Sequence, residues 1–350
     1  MLIIGCDLHT RYQNVAMLDT QTGELVERRL EHENGEARRF YAHLPTPARV
    51  GIEATGHTQW FERLLAELGH ELWVGDAAQI RAQVVRKQKT DPRDAAHLLE
   101  LLLTDRFPRL WIPSVTERDL RQLLKHRHKL VQMRTAVKNQ LHALAMNQGL
   151  CRGRKLWSIR GQQELEKLRL GPWASRRRQA LLELLHDLGA RIGELDPAIE
   201  QQAQAHPQAR RLMTHPGVGP VVALAFVLTL GPVERFRRSK QVVSYLGLNP
   251  REHSSGGRQR LGAISKQGNT MLRWLLVEAA HSAARHAAEL HRVYYRLKFR
   301  RCGAVAKVAI ARKLAVRLYG MLCRQANYAP PVRTPGSPVK TRVDASPSAL

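Results

Sequence analysis

The sequence predicts an α/β domain followed by a mostly helical region. Short β-prone runs alternate with helical patterns through about residue 110, and apolar residues then recur every seven positions between Thr116 and Asn147. A third stretch, from Arg210 to about Asn327, reads as mostly helical. With 350 residues, 43% of them apolar, the chain is long enough to fold as two or three modest domains. We therefore expect boundaries near residues 112, 207 and 327.

The first region has a distinctive order of elements. The runs LIIGCDL, NVAMLDT and ELVERRL are β-prone and separated by turn residues, which predicts an antiparallel meander. A helical stretch from Gly35 to His43, the strand RVGIEAT, the helix TQWFERLLAELG and the strand ELWVGDA follow. Two helix-like stretches, AAQIRAQVVRKQK and DPRDAAHLLELLLT, complete the region. Three strands, a helix, a strand, a helix and a strand is the order of a ribonuclease H-like domain with a mixed sheet.

The second region is predicted to form a helical arm. Leu123, Leu130, Val137 and Leu144 lie seven residues apart, which is the spacing of a short coiled coil. Its polar side is rich in Arg and Lys, so it is either a solvated face or a track for a nucleic-acid backbone. A second helix, from about residue 176 to residue 205, is expected to pack against the first. The basic segments CRGRKLWSIRG and GPWASRRR between them include tryptophans that suit base stacking.

Charge indicates the class of partner. The chain has 56 Lys and Arg against 30 Asp and Glu, a formal net charge of +26, which predicts a polyanionic partner. Nucleic acid fits better than a membrane, because the basic residues are spread along the chain and the longest apolar run is about half a membrane helix. Four scattered cysteines without a CxxC pair indicate neither a disulfide framework nor a zinc site. We expect a cytoplasmic, nucleoid-associated protein with no membrane partner, and a disordered Pro- and Ser-rich tail over 328–350.

Four acidic residues stand where a sheet could gather them. Asp7 ends the first strand and Glu53 ends the fourth, while Asp91 and Asp94 are three residues apart in KTDPRDA. Residues at that spacing share one face of a helix. An alternative reading is purely structural, because Asp91 could cap a helix with Pro92 at its first position.

The predicted topology favours a metal site. In a ribonuclease H-like sheet the first and fourth strands are neighbours and the last helix crosses beside them, so the four carboxylates would converge. Carboxylates that close repel one another and favour a bound divalent cation. Hard oxygen ligands favour Mg²⁺ or Mn²⁺ over zinc, and two such ions can polarise a phosphodiester.

The third region carries two further motifs. MTHPGVGPVVALAFVLTLG has the outline of a helix-hairpin-helix, in which Gly217 and Gly219 would let backbone N–H groups approach a phosphate, although Gly-Val-Gly also forms ordinary turns. REHSSGGRQRLG is predicted to be a flexible polar loop between two helices. Either serine in it is a loop residue or a nucleophile, and the loop alone does not distinguish Ser254 from Ser255. The cationic residues expected to neutralise phosphates are Arg251, Arg258, Arg260 and Lys266.

The motifs GCDLHT, IEATG and KTDPRDA resemble the signature of the DEDD-type insertion-sequence transposases, whose N-terminal domain is similar to the RuvC Holliday-junction resolvase. The resemblance implies that Asp7, Glu53, Asp91 and Asp94 hold Mg²⁺. GLNP, the Ser-Gly loop and ISKQGN resemble the C-terminal transposase domain of the same family. Members use a serine five residues after the proline of the GLxP-like motif, immediately before glycine, which here is Ser255.

The resemblance spans roughly residues 1 to 325 and implies a recombinase. In such enzymes the acidic site of one subunit meets the serine of another across the helical arm, so we expect a homo-oligomer, a dimer or a tetramer. Members also use a structured bridge RNA to pair with donor and target DNA, which makes DNA and a guide RNA the expected partners. Two alternatives remain open on the residues: a metal-dependent junction nuclease that uses water as nucleophile, and a non-catalytic nucleic-acid-binding protein.

Overall fold

The chain folds into two compact units, Met1–Ile112 and the part from Pro113 onward. The computed structural model describes residues 1–45, 47–84 and 91–330. Among these residues, no helix is both long enough and apolar enough to cross a membrane.

The first unit is a five-stranded mixed sheet with helices on both faces, in the strand order β3-β2-β1-β4-β5. Its first three strands pair antiparallel, and the other two run parallel to β1. This confirms the predicted mixed α/β sheet. In chain order its elements are β1 (Leu2–Leu8), β2 (Tyr12–Asp19), β3 (Leu25–Glu31), α1 (Glu36–Ala42), β4 (Ala48–Glu53), α2 (Gln59–Glu67), β5 (Glu71–Gly75), α3 (Ala77–Ala82) and α4 (Asp91–Leu103).

Apolar side chains cover both faces of the central strands, which explains why β1 reads as a continuous apolar run. One face packs with α1 and α2 around Tyr41 and Phe61, and the other packs with α4 around Leu98 and Leu99. Helix α4 approaches β1 very closely at Gly5. A Cβ atom there would stand 2.2 Å from the carbonyl oxygen of Ala95, so only glycine fits without a shift.

The second unit is mostly helical, as predicted. In chain order its elements are α5 (Val115–Asn147), a 3₁₀ helix (Gly153–Trp157), α6 (Ile159–Glu166), α7 (Pro172–Ala205), α8 (Pro207–Met213), α9 (Pro220–Leu230), a 3₁₀ helix (Val233–Arg235), α10 (Ser239–Tyr245), β6 (Pro250–Glu252), β7 (Leu261–Ile264), α11 (Thr270–His286), α12 (Ala288–Arg300) and α13 (Gly303–Cys323). The largest apolar core of this unit surrounds α9, whose Phe226 is fully buried.

Helices α5 and α7 form an antiparallel pair. Arg127 is ion-paired with Asp196, and Arg177 donates a hydrogen bond to Gln140 at 3.0 Å. The N-terminal part of each helix therefore lies beside the C-terminal part of the other. The apolar side of α5 packs against α7, and part of its basic side also forms contacts within the protein. The guanidinium of Arg121 donates to the carbonyl oxygen of Leu228 in α9. This arginine on the basic side of α5 therefore has a contact within the protein itself.

Three predictions of local structure need correction or qualification. REHSSGGRQRLG was predicted to be a flexible polar loop, and it is a two-stranded antiparallel hairpin. Tyr328, the first residue of the predicted disordered tail, is packed: its N–H donates to the Thr214 hydroxyl at 2.8 Å, and its ring lies 4.4 Å from that of His215. The remaining tail prediction, over 331–350, lies outside the described residues, as does the predicted extension of α3 over 85–89.

Candidate active site

The predicted acids lie at one edge of the sheet because of strand register and side-chain alternation. The parallel pairing of β1 and β4 sets Cys6 opposite Ile52, so Asp7 and Glu53 occupy the next position on each strand. Both share the face of Gly5 and Gly51, where a Cβ atom would meet residues of α4. The first turn of α4, with two further acids, begins on this same face.

Two of these acids and a histidine form the tightest cluster. Asp7, His9 and Asp91 each offer one ligand atom, and these atoms all lie within 4.8 Å of one another. His9 Nε2 lies 3.0 Å from Asp7 Oδ2 and 3.6 Å from Asp91 Oδ2. Among the described residues, Glu53 and Asp94 fall outside this cluster. The Glu53 carboxylate instead accepts a hydrogen bond from Arg81 of α3 at 3.3 Å.

Tyr12 holds Asp91 from the neighbouring strand. Its hydroxyl donates to Asp91 Oδ2 at 2.9 Å, and its ring lies 4.7 Å from that of His9. The Arg29 guanidinium of β3 lies over the phenol ring, 3.8 Å from its centroid. The hydrogen bond to Asp91 raises the pKa of Tyr12 further above its ordinary value, which favours the protonated phenol as donor.

Electrostatics at the cluster oppose ionisation of Asp7. Burial is the main cause of the raised pKa of this carboxyl group. The charges of Asp94 and Asp91 raise it further, while His9 partly offsets the effect. The influence of Asp94 shows that it belongs to the same electrostatic neighbourhood although it lies outside the tight cluster. A cation bound here would relieve this repulsion.

The donor set fits a divalent cation that prefers oxygen. Asp7 and Asp91 supply hard oxygen ligands of the kind that Mg²⁺ and Mn²⁺ take, and the imidazole of His9 adds a nitrogen ligand. A bound cation would favour the ionised form of Asp7, which burial and the neighbouring acids now oppose.

The two candidate serines lie at the end of the β6–β7 hairpin. Gly256 and Gly257 have φ values of +56° and +73°, as the two central residues of a type I′ turn require. Ser255 and Arg258 flank this turn, and the Arg258 N–H donates to the Ser255 carbonyl at 3.1 Å. All residues from Arg251 to Ala263 are exposed.

The two serine hydroxyls differ in their partners. The Ser254 hydroxyl donates to Glu252 Oε1 at 2.6 Å and accepts from the Arg260 N–H at 3.1 Å. Within the described part of the chain, the Ser255 hydroxyl forms no hydrogen bond. The structure therefore separates two serines that the loop sequence leaves equivalent.

The hairpin rises from a base in which the motifs GLNP and ISKQGN interlock. A Cβ on Gly247 would stand 2.1 Å from the Gln267 carbonyl oxygen, and one on Gly268 would stand 2.0 Å from that of Tyr245. The buried guanidinium of Arg273 donates to the carbonyls of Leu246 at 3.2 Å and Gln267 at 2.7 Å. These contacts fix both ends of the hairpin to α10 and α11.

The four predicted phosphate-binding cations are all exposed, on the hairpin or just after it: Arg251, Arg258, Arg260 and Lys266. The two glycines of the predicted helix-hairpin-helix differ. Gly217 has a φ of +86°, and a Cβ there would stand 2.4 Å from the backbone nitrogen of Ala283, so packing on α11 explains it. Gly219 precedes α9 and has open space beside its Cα, which leaves room for a ligand.

Comparison with known proteins identifies the family. Residues 209–296 match the family described as "Transposase IS116/IS110/IS902 family", and residues 4–147 match a DEDD-type domain of IS110 transposases. A protein of Pseudomonas aeruginosa named "Probable family 20 transposase" is 32% identical over 337 residues, which cover 93% of this chain and 98% of that protein. The chain belongs to this transposase family.

Two further relatives of this transposase are named after insertion sequences. The transposase for element IS1111A of Coxiella burnetii is 29% identical over 341 residues, or 93% of this chain and 91% of that protein. The transposase for element IS1328 of Yersinia enterocolitica is 28% identical over 285 residues, or 79% and 82% of the two chains. The DEDD-type match includes all four predicted acids, and the other match includes Ser255.

Sequence reasoning missed two members of the site. His9 lies two residues after Asp7, just past the end of β1, and Tyr12 opens β2, so both lie at the same sheet edge as the acids. Their alternation with Asp7 around a short turn was a usable signal. No sequence pattern indicated the ion pair of Glu53 with Arg81, because the two residues are 28 positions apart.

Proposed function

We propose that this transposase cuts and rejoins DNA through a covalent phosphoserine intermediate, with Mg²⁺, or Mn²⁺ in its place, held by Asp7, Glu53, Asp91 and Asp94. The observation that carries the proposal is the gathering of Asp7, His9 and Asp91 at the sheet edge of a DEDD-type transposase domain. When bound there, a divalent cation neutralises charge on a phosphodiester and stabilises its transition state.

In this proposal the Ser255 oxygen forms a bond to a DNA phosphorus atom. The bond from phosphorus to one deoxyribose oxygen breaks, and that oxygen takes up the proton that the serine hydroxyl loses. A hydroxyl of a second strand then attacks the phosphoserine, reforms a phosphodiester and returns the hydroxyl to Ser255. One phosphodiester is exchanged for another, so no external energy source is needed. Among the described residues the Ser255 hydroxyl has no hydrogen-bond partner and lies at an exposed turn, which supports this assignment over Ser254.

Exposed cations would hold the DNA at the hairpin. Arg251, Arg258, Arg260 and Lys266 are placed to neutralise phosphates, and the backbone at Gly219 is open to a phosphate at the start of α9. The net charge of +26 supports simultaneous binding of DNA and a guide RNA. We infer a homo-oligomer in which the acids of one subunit serve the serine of another.

A second candidate function is a metal-dependent nuclease in which water is the nucleophile. The acidic cluster alone would support it, and then neither serine is needed for cleavage. A variant of the serine step follows from the Ser254–Glu252 hydrogen bond, because a carboxylate so placed could act as a general base toward Ser254. The two hairpin serines therefore need separate variants.

Covalent trapping distinguishes these functions. The transposase, with any RNA that copurifies, is mixed with end-labelled DNA from the flanks of its gene and Mg²⁺, quenched in detergent and resolved on a denaturing gel. We expect a protein–DNA adduct in the wild type and in Ser254→Ala, and none in Ser255→Ala. Asp7→Asn should also abolish the adduct, which links the acids to the same step.

Other outcomes identify the alternatives. Loss of the adduct in Ser254→Ala with its survival in Ser255→Ala would transfer the nucleophile to the neighbouring serine. Cleaved DNA without any adduct, in both serine variants as in the wild type, would establish the nuclease and exclude the covalent step.

A further inference from the structure

The tip of the helical arm, residues 151–178, is a strongly basic surface that the proposed chemistry does not use. It contains nine arginines and lysines but only two glutamates. One of the two, Glu164, is already paired with Arg152 and Arg160. The remaining cations include Arg169 and Arg176, both exposed. Such a local charge excess predicts an anionic partner.

The arm tip is held in a defined shape. Leu156 and Leu165 are fully buried in the core that also includes residues of α5 and α7. A Cβ on Gly161 would stand 2.2 Å from the Lys155 carbonyl oxygen, so α6 packs directly on the preceding 3₁₀ helix. Arg178 of α7 donates to the carbonyl of Leu165 at 3.1 Å, which ties the start of α7 to the end of α6. The surface is therefore formed before any ligand binds.

A single tryptophan stands out from this basic surface. Trp173, in the first turn of α7, is 78% exposed, and the Arg176 guanidinium lies 5.9 Å from its ring centroid. The other tryptophan of the tip behaves differently: Trp157 packs against the arm core with Lys138 over its ring at 4.9 Å. The sequence predicted both as stacking residues, but Trp157 is partly buried against the arm core, whereas most of Trp173 is exposed to solvent.

We propose that the arm tip binds single-stranded nucleic acid, with Trp173 stacked on an unpaired base and the surrounding cations on the adjacent phosphates. An exposed aromatic ring among cations is the combination that single-strand-binding proteins use, and a duplex offers no unstacked base for the ring. A second copy of this chain fits less well, because two surfaces with the same charge excess repel one another. RNA and DNA single strands share the chemistry that the tip recognises.

The test uses the full-length protein in EDTA, so it does not depend on the acids or on either serine. Binding of fluorescently labelled oligo(dT), oligo(rU) and a duplex of equal length, about 20 nucleotides, is measured by anisotropy. Trp173→Ala should weaken single-strand binding by about 5- to 140-fold, the range for loss of one stacked base. Trp173→Phe should retain most of the affinity, and duplex binding should change little.

Ile159→Ala is the matched control, since Ile159 is 80% exposed on the same tip but cannot stack on a base. Equal behaviour of Trp173→Ala and Ile159→Ala toward oligonucleotides would overturn the proposal. A loss of oligomer mass in both variants, measured by light scattering, would instead assign the tip to contact with a second copy. Arg169→Gln should lower the salt dependence of binding by about 0.7 in log–log slope, the value for one phosphate contact on a single strand. Comparison of the affinities for oligo(dT) and oligo(rU) shows which nucleic acid the tip prefers.

Discussion

Replacement of Gly5 by alanine should damage the acidic site through the packing of α4, without altering any of its side chains. The new Cβ would stand 2.2 Å from the Ala95 carbonyl oxygen and 2.4 Å from the Leu99 nitrogen, both backbone atoms of α4. Ordinary contact begins near 3.4 Å, so the helix would have to retreat by roughly 1 Å. Ala95 directly follows Asp94, so this retreat moves the turn that carries Asp91 and Asp94.

The size of the effect follows from overpacking and from catalytic geometry. Insertion of one methyl group into a well-packed interface costs about 1–3 kcal/mol, and here the obstruction is backbone, which cannot rotate away. A displacement of about 1 Å in catalytic groups can lower a rate by about 100-fold. We therefore expect Gly5→Ala to lower the thermal midpoint of the first unit and to lower DNA cleavage by about two orders of magnitude.

Gly189→Ala is the control, because nothing lies within 4 Å of a Cβ built at Gly189 in α7. It should leave cleavage unchanged and slightly raise stability, as alanine does in a helix. Thermal unfolding followed by circular dichroism and cleavage at saturating Mg²⁺ are the two assays. Wild-type stability and cleavage in Gly5→Ala would refute the close packing of α4 on β1.

Three further predictions concern single side chains. Asp7→Asn should raise the thermal midpoint in EDTA at pH 7. The pKa of Asp7 is raised in the folded state, so ionisation of this carboxyl group destabilises the fold as pH rises above the unfolded value near 3.8. The increase in thermal midpoint should therefore shrink toward pH 4, and the variant should no longer be stabilised by added Mn²⁺. An unchanged response to Mn²⁺ would place the metal elsewhere. Tyr12→Phe removes the hydroxyl that holds Asp91 and should weaken Mn²⁺ binding by about 10- to 100-fold in a calorimetric titration, whereas wild-type affinity would show that the hydrogen bond has no positioning role. Arg273→Met leaves the carbonyls of Leu246 and Gln267 without their donor and should destabilise the second unit by about 1–3 kcal/mol in urea unfolding; Lys298→Met, a change of an exposed cation, should be neutral.

The sheet and its acids were predictable because strand patterns and register are local properties. Asp7 and Glu53 each follow a buried apolar run, and parallel pairing of those runs sets them side by side. The contacts of the side chains were not predictable, because they depend on distant residues. Glu53 accepts a hydrogen bond from Arg81, and Asp91 accepts one from Tyr12, which is 79 positions away.

The serine hairpin shows why some structure escapes sequence patterns. Its strands are short and exposed and lack apolar alternation, so the segment reads as a loop. The hairpin is specified instead by its two ends. Gly256 and Gly257 supply the turn, and at the base the Ser265 N–H donates to the Asn249 carbonyl at 2.8 Å. Only the glycine pair is visible in the sequence as a turn signal.

The proposed covalent role of Ser255 is tested most directly by locating the bound nucleotide in a trapped adduct. Trypsin should release both serines in one peptide, EHSSGGR, because Arg251 precedes it and Arg258 ends it. The adduct is digested with nuclease and trypsin, and the peptide is sequenced by tandem mass spectrometry. We predict a nucleotide joined through its phosphate to Ser255, and an unmodified Ser254. A nucleotide on Ser254, or only unmodified peptide from reactions that cleave DNA, would contradict the proposed mechanism.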